Sequence, residues 1–273
     1  NQNYQKIWGG VFFEYWNKQT GETTQIHGEL DDPGLLRYSY SADDLMPIVW
    51  NGNIREMSDG SIVAGVYPCF YQNSDGLVLH SAISFFKSTD RGYHWKRIGS
   101  IPYQTEADKA PETYVYDGSE GFSEPTFALL DDNTFVCVMR TGFYTPMYKS
   151  VSIDGGQHWT VPEAFTSNGV APNLLHLGND VIALSSGRPG VQLRFNIEGD
   201  GKSWTEPIEM LMFMDENGNY GNRIRLWPTC GYTGMLAVDS HTFYLVWSDF
   251  KRKNSVDEER KTILFRKVEV IKR

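Results

Sequence analysis

The chain has 273 residues, with 25 Lys and Arg against 34 Asp and Glu for a formal charge of −9. That balance argues against a partner held through its phosphate backbone, which requires a basic face. No apolar run approaches the roughly 20 residues that cross a bilayer as a helix, and 40% apolar with 14% aromatic residues support a sizeable core rather than disorder.

In chain order, Asn1 to Phe12 has no basic region leading into a long apolar block, so no export signal is read there. Residues 1–50 hold the aromatic Val11–Trp16 stretch and polar loops. After them, short runs rich in Val, Ile, Phe and Tyr recur between clusters of Gly, Asp, Asn and Pro. They are Ser61–Tyr67, Ser81–Ser88, Thr134–Thr141, Met147–Ile153, Val181–Ser186, Val191–Ile197, Thr242–Ser248 and Thr262–Ile271. Each has the length of a strand, and long 3.6-residue periodicity is missing, so an all-β sandwich, barrel or propeller is expected. Internal repetition decides among these.

The clearest repeat is Ser88-Thr-Asp90-Arg-Gly92-Tyr-His-Trp95, echoed by Ser152-Ile-Asp154-Gly-Gly156-Gln-His-Trp159. A third stretch, Ile197-Glu-Gly-Asp-Gly201-Lys-Ser-Trp204, keeps only the glycine and the tryptophan. This Ser-x-Asp-x-Gly-x-x-Trp pattern is the Asp-box. Its aspartate can accept hydrogen bonds from the turn's own amides, its glycine supplies a positive φ, and its tryptophan staples the turn to the sheet. These residues are therefore read as structural and none as catalytic. Tight turns at Ser58–Gly60, Asp131–Asn133, Gly178–Asp180 and Asp239–His241 mark a second layer of repetition. Units starting near Gly52, Ser123, Val170 and Gly231 read as four-stranded sheets of about 40–70 residues, the size of a propeller blade. No linker divides them, so a single β-propeller domain over 1–273 is expected, with 1–50 an irregular or partial N-terminal blade. Lys261–Val270 reads as a terminal strand suited to closing a ring.

Cys69, Cys137 and Cys230 lie far apart without CxxC spacing. Buried free thiols fit best, and one disulfide beside a free thiol is the alternative. Six dispersed histidines (His27, His80, His94, His158, His176, His241) and the absence of HExxH point to no metal site and no cofactor. No Asn-x-Ser/Thr sequon occurs.

Register predicts a site. Two antiparallel strands joined by a tight turn begin and end at the same edge of their sheet. Glu124 opens the first strand of its unit, Ala171 stands at the same station of the next unit, and Tyr232 at that of the last. Arg140 and Arg188 close the second strands, with Ser248 and Asp249 there in the last unit and Tyr67 in the first. A carboxylate, a phenol and two guanidiniums would then face one mouth. A blade-edge Glu124–Arg140 ion pair with Tyr232 as packing is the structural alternative. Arginine forks bind carboxylate bidentately, and a glutamate beside a tyrosine can take the phenol's proton as its oxygen attacks. A neutral phenol suits an anomeric carbon that already bears a carboxylate, since a charged nucleophile would be repelled.

The Asp-boxes, Gly121-Phe-Ser-Glu124-Pro with Arg140 sixteen residues on, Gly187-Arg188-Pro-Gly190 and Gly231-Tyr232-Thr-Gly-Met-Leu together resemble the bacterial sialidase (neuraminidase) superfamily, in its Asp-box-repeat, sialidase-like branch. The likeness covers about residues 50–273. It implies a six-bladed propeller and a retaining exo-glycosidase of terminal sialic acid. Tyr232 would be the nucleophile, Glu124 its activating base, and Arg140 and Arg188 two of three carboxylate-binding arginines. The implied Arg-Ile-Pro signature is missing. Its place falls near Trp50, and neither Arg37 nor Arg55 sits in such a context. An acid/base aspartate is implied shortly before the first Asp-box; Asp75, thirteen residues before Ser88, fits, although Asn73-Ser-Asp75-Gly also reads as a plain turn. Asp249 stands where the resemblance implies a substrate-binding glutamate. The expected partner is an acidic glycan, with no nucleic acid and no membrane span, in a secreted or periplasmic bacterial setting. A lectin-like propeller without chemistry, and a glycosidase or lyase of other specificity, are the competing expectations.

Overall fold

The computed structural model describes residues 5–6, 10–39, 45–46, 54–104, 121–131, 133–142, 145–166, 168–188, 190–211 and 232–271. Every named element among them is a β-strand, and no helix among them is long and apolar enough to cross a membrane.

The early chain supplies β1 (Gln5–Lys6), β2 (Gly10–Trp16), β3 (Thr23–Asp31), β4 (Leu36–Ser39) and β5 (Leu45–Met46). A first blade follows: β6 (Ile54–Glu56), β7 (Ile62–Cys69), β8 (Ala82–Ser88) and β9 (His94–Ile101). The second is β10 (Ser123–Leu129), β11 (Phe135–Arg140), β12 (Tyr148–Ser152) and β13 (Glu163–Ala164). The third is β14 (Val170–His176), β15 (Ile182–Gly187), β16 (Val191–Asn196) and β17 (Ile208–Leu211), and the fourth is β18 (Thr233–Ala237), β19 (Thr242–Lys253) and β20 (Glu259–Glu269). Strands within each blade pair antiparallel in chain order. The expected four-stranded meanders are present in the first three blades, while the fourth shows three strands. Four stacked sheets among the described residues fall short of the six of a closed ring.

The stacking follows from period-2 alternation along each strand. On β11, Phe135, Cys137 and Met139 turn toward the first blade and meet Ile83, Phe85 and Ile101. The intervening Val136 and Val138 face the third blade and meet Leu174, Ile182 and Leu184. On β19, Phe243, Leu245 and Trp247 pack with Val181, Ala183 and Leu193 of the third blade. Each such side chain, removed from water, contributes roughly 2 kcal/mol. Tyr244 and Val246 point the other way, into an exposed apolar face.

The Asp-box turns brace this stack as their sequence predicts. Gly92 donates its amide to Ser88 Oγ at 2.8 Å and Gly156 to Ser152 Oγ at 2.9 Å. Trp95 and Trp159 donate their indole N–H to the carbonyls of Gly92 and Gly156. The third turn is more complete than its sequence suggests. Gly201 donates to Asn196 Oδ1 at 3.0 Å and Trp204 to the Gly201 carbonyl at 3.1 Å. Asn196 thus takes the serine's place one residue further back, an insertion that hides it from a fixed-spacing pattern. A Cβ added at Gly99 would run into the Gly156 carbonyl, and one at Gly28 into that of Gly92. Each of these two boxes therefore abuts backbone of an adjoining element.

Residues 10–31 build no blade of their own. β2 and β3 form a hairpin whose β3 pairs parallel with β9 (Glu29↔His94, Leu30↔Trp95), giving a six-stranded sheet of order β2-β3-β9-β8-β7-β6. The turn after β3 is anchored by buried Asp32, which accepts from Tyr71 Oη at 2.9 Å and pairs with Arg97 Nε at 3.0 Å. Cys69 and Cys137 are buried free thiols, as expected; burial pushes the Cys69 thiol up to about 12 and raises that of Cys137. Cys230 lies outside the described residues.

Candidate functional site

The site is built on a feature shared by two inner strands. In β10 the register jumps from Ser123↔Arg140 to Thr126↔Val138, and in β14 from Val170↔Gly187 to Asn173↔Ser185. Each bulge holds a residue followed by proline, Glu124-Pro125 and Ala171-Pro172. The proline has no amide to leave unpaired where the ladder is interrupted. Glu124 and Ala171 adopt φ of 46° and 44°, the left-handed region. That backbone is uncommon for residues other than glycine and is found where surrounding structure over-determines it. The start of β10 is pinned from the first blade, since Phe122 donates its amide to the Ser81 carbonyl and Ser81 Oγ donates to the Phe122 carbonyl.

The bulge carries the Glu124 carboxylate into a cluster drawn from three blades. Oε1 accepts from Arg140 Nη1 at 2.8 Å and from Tyr232 Oη at 3.1 Å. Oε2 accepts the Ala171 amide at 2.7 Å. Glu124 is 6% exposed, and a charge so far from water requires this many partners. The ion pair of the structural alternative is therefore present, and the phenol joins it rather than merely packing. Tyr232, just before β18, is 58% exposed as a residue while its hydroxyl rests against Glu124. Burial and then the Glu124 charge push the phenol above its ordinary value, against the opposing fields of Arg140 and Arg188. Arg188 follows β15 with φ of 46°, its amide donating to the Gly190 carbonyl.

The other expected members lie on further elements. Asp75 is exposed in the loop between β7 and β8, where its amide donates to Asn73 Oδ1 and Gly76 closes the turn onto the Asn73 carbonyl. This is the plain-turn geometry its sequence allowed. The loop leaves the same blade edge as the end of β11, and Asp75's hydrogen bond stays within it. Asp249 is half-buried on β19, opposite Thr262, one residue past the Ser248 that stands beside Tyr232 in register. Arg55, on β6, sits between the first two blades, its guanidinium 5.5 Å from the Phe127 ring centre and donating to the Ile54 carbonyl, so it is no part of the cluster. Burial holds its guanidinium below the ordinary arginine value. Arg37 lies on β4, and the place near Trp50 falls outside the described residues. Among the described residues no group of three His, Cys, Asp or Glu side chains is arranged to hold a metal ion. The partner that sequence reasoning missed is the Ala171 amide. A backbone donor has no residue signature, although the repeated X-Pro at one station marks its position.

No protein-family model and no curated protein matches the chain. Solved structures do. A protein of unknown function from Dyadobacter fermentans superposes with a TM-score of 0.57 at 17% identity, over 87% of this chain and 64% of its own. The Hadza microbial sialidase Hz136 gives 0.54 at 14%, over 95% of this chain and 44% of its own. The NanB sialidase of Streptococcus pneumoniae gives 0.52 at 13%, over 97% and 42%. The chain thus spans less than half the length of these two sialidases. At such identities the likeness is one of architecture, and the chain has a sialidase-like, all-β fold.

Proposed function

We propose that the chain is a glycoside hydrolase of the sialidase type, removing a terminal acidic sugar from a glycan. The observation that carries this reading is the Tyr232 hydroxyl donating to a Glu124 oxygen that Arg140 also holds. In the first step the Tyr232 oxygen bonds to the anomeric carbon as the bond to the leaving-group oxygen breaks. The phenol proton passes to Glu124, and Asp75 gives its proton to the departing oxygen. In the second step Asp75 takes a proton from water, whose oxygen displaces Tyr232, and the phenol recovers its proton from Glu124. Arg140 and Arg188 supply positive charge toward the sugar's carboxylate, and Asp249 contacts its polar groups. Because burial and the Glu124 charge make the phenol harder to ionise, it enters neutral, which avoids repulsion by that carboxylate. In this reading the stacked sheets belong to a six-bladed ring, and the protein works outside the cytoplasm.

Tyr232→Phe removes the attacking oxygen alone. Turnover of an aryl sialoside is expected to fall at least about a thousandfold with the fold intact; unchanged turnover would sink the nucleophile assignment. A binding module without chemistry is the second reading, favoured by one observation: Asp75 is exposed and its backbone closes a plain Asn73–Gly76 turn. Sialoside binding by calorimetry without any hydrolysis would select it.

A further inference from the structure

We propose that the Ala171 amide is a positioning group, which aims the Glu124 carboxylate at the Tyr232 phenol from the blade between them. This deepens the reading of Glu124 and Tyr232 as the reacting pair and rests on it. Glu124 belongs to the second blade, Tyr232 to the fourth and Ala171 to the third. Carboxylate and phenol therefore meet across a blade whose Arg188, past the end of β15, adds positive field at the phenol, while the opening of its first strand offers no ionisable side chain to the carboxylate. What it contributes is backbone. The bulge in β14 takes Ala171 out of the β15 ladder and into the left-handed region, and its N–H reaches Glu124 Oε2 at 2.7 Å. A charge-assisted bond of this length is among the stronger neutral-donor contacts. With Oε2 fixed, rotation about the last torsion of Glu124 is restricted and Oε1 stays between Arg140 and Tyr232. A second inter-blade bond, Leu174 amide to Thr126 Oγ1 at 3.0 Å, clamps the two inner strands one step further along. An unstrained bulge with a freely chosen conformation would not require φ of 44° at an alanine.

The test replaces Ala171 in the full chain with lactate, which turns the amide N–H into an ester oxygen and leaves the side chain unchanged. Ionisation of Tyr232 is then read by ultraviolet difference absorbance against the matching Tyr232→Phe protein. With the carboxylate released, its charge weighs less on the phenol, so Tyr232 is expected to ionise at lower pH than in the parent. Ionisation at the same pH in both proteins would overturn the proposal, because an amide serving only to glue blades together would not move the phenol. Should the ester protein fail to fold, Glu124→Ala is read by amide hydrogen exchange. The Ala171 amide is expected to exchange about tenfold faster or more, for a lost bond of about 1.4 kcal/mol, while Leu174 is unchanged. Equal exchange at Ala171 would equally refute it. Neither readout uses turnover, so a protein inactive on sialosides but with a shifted Tyr232 titration loses the hydrolase reading and keeps this one.

Discussion

Arg140 is held by Glu124 before any ligand arrives. Its guanidinium is largely buried and bonded to one carboxylate oxygen, with Nε toward the Gly142 carbonyl at 3.4 Å. Arg140→Ala would leave Glu124 buried with only neutral donors, and removing one member of such a pair costs roughly 3–5 kcal/mol. Urea unfolding is expected to lose about that much, whereas Arg140→Lys, which keeps the charge but not the fork, loses less. Equal stability of all three proteins would mean that the pair is solvated. Glu124, Arg140 and Tyr232 were legible from sequence because strand register converts spacing into proximity. The Ala171 amide was not, for donors of the main chain are the same at every residue. Asp75 shows the opposite limit, since its position relative to the first Asp-box was readable but the exposure of its turn was not.

The Asp-box turns carry a pH signature. Backbone and side-chain bonds from His94 and Ser88 hold the Asp90 carboxyl down at about 2, and the Asp154 carboxyl is held at about 2 in the same way by His158 and Ser152. A lowered carboxyl stabilises the folded turn above the ordinary aspartate range, and that contribution is lost as pH falls through about 2. The backbone amides of His94 and His158, which donate to these carboxylates at 2.9 Å, are expected to keep their chemical shifts down to about pH 3. They should then move together with a midpoint near 2; midpoints in the ordinary aspartate range would show that the turns are not closed in solution. In His94 the imidazole is raised by Asp90, so its share of the pairing is present in mild acid and fades as pH rises. These turns were readable because Ser, Asp, Gly and Trp each answer one geometric demand. The third turn was only half readable, since Asn196 meets the same demand from a shifted position.

On the scale of the molecule, the outer face of the fourth sheet stands out. Ile263 is 78% and Phe265 72% exposed, beside Leu236, Tyr244 and Val246, with the Tyr244 and Phe265 rings edge to face. The corresponding faces of the preceding sheets are covered by the next sheet in line. A contiguous patch of this kind is a sticky surface. Ile263→Lys with Phe265→Glu is expected to lower binding of a hydrophobic dye while changing stability by no more than about 0.5 kcal/mol, as for exposed sites generally. A large loss of stability in thermal unfolding would mean that the face is packed. Sheet order within the blades was readable, since antiparallel neighbours announce themselves by tight turns. The docking of β3 on β9 was not, because parallel pairing leaves no turn in the sequence.

That parallel seam has a consequence for how the molecule assembles. β3 is synthesised before any strand of the first blade, yet its blade partner among the described residues, β9, is the last strand of that blade to emerge. The early hairpin must wait as a loose arm until a finished sheet offers its outer rim, and distant pairings of this sort are slow to form. Its aromatic side chains Phe12 and Trp16 spend that interval, as they do afterwards, turned toward water.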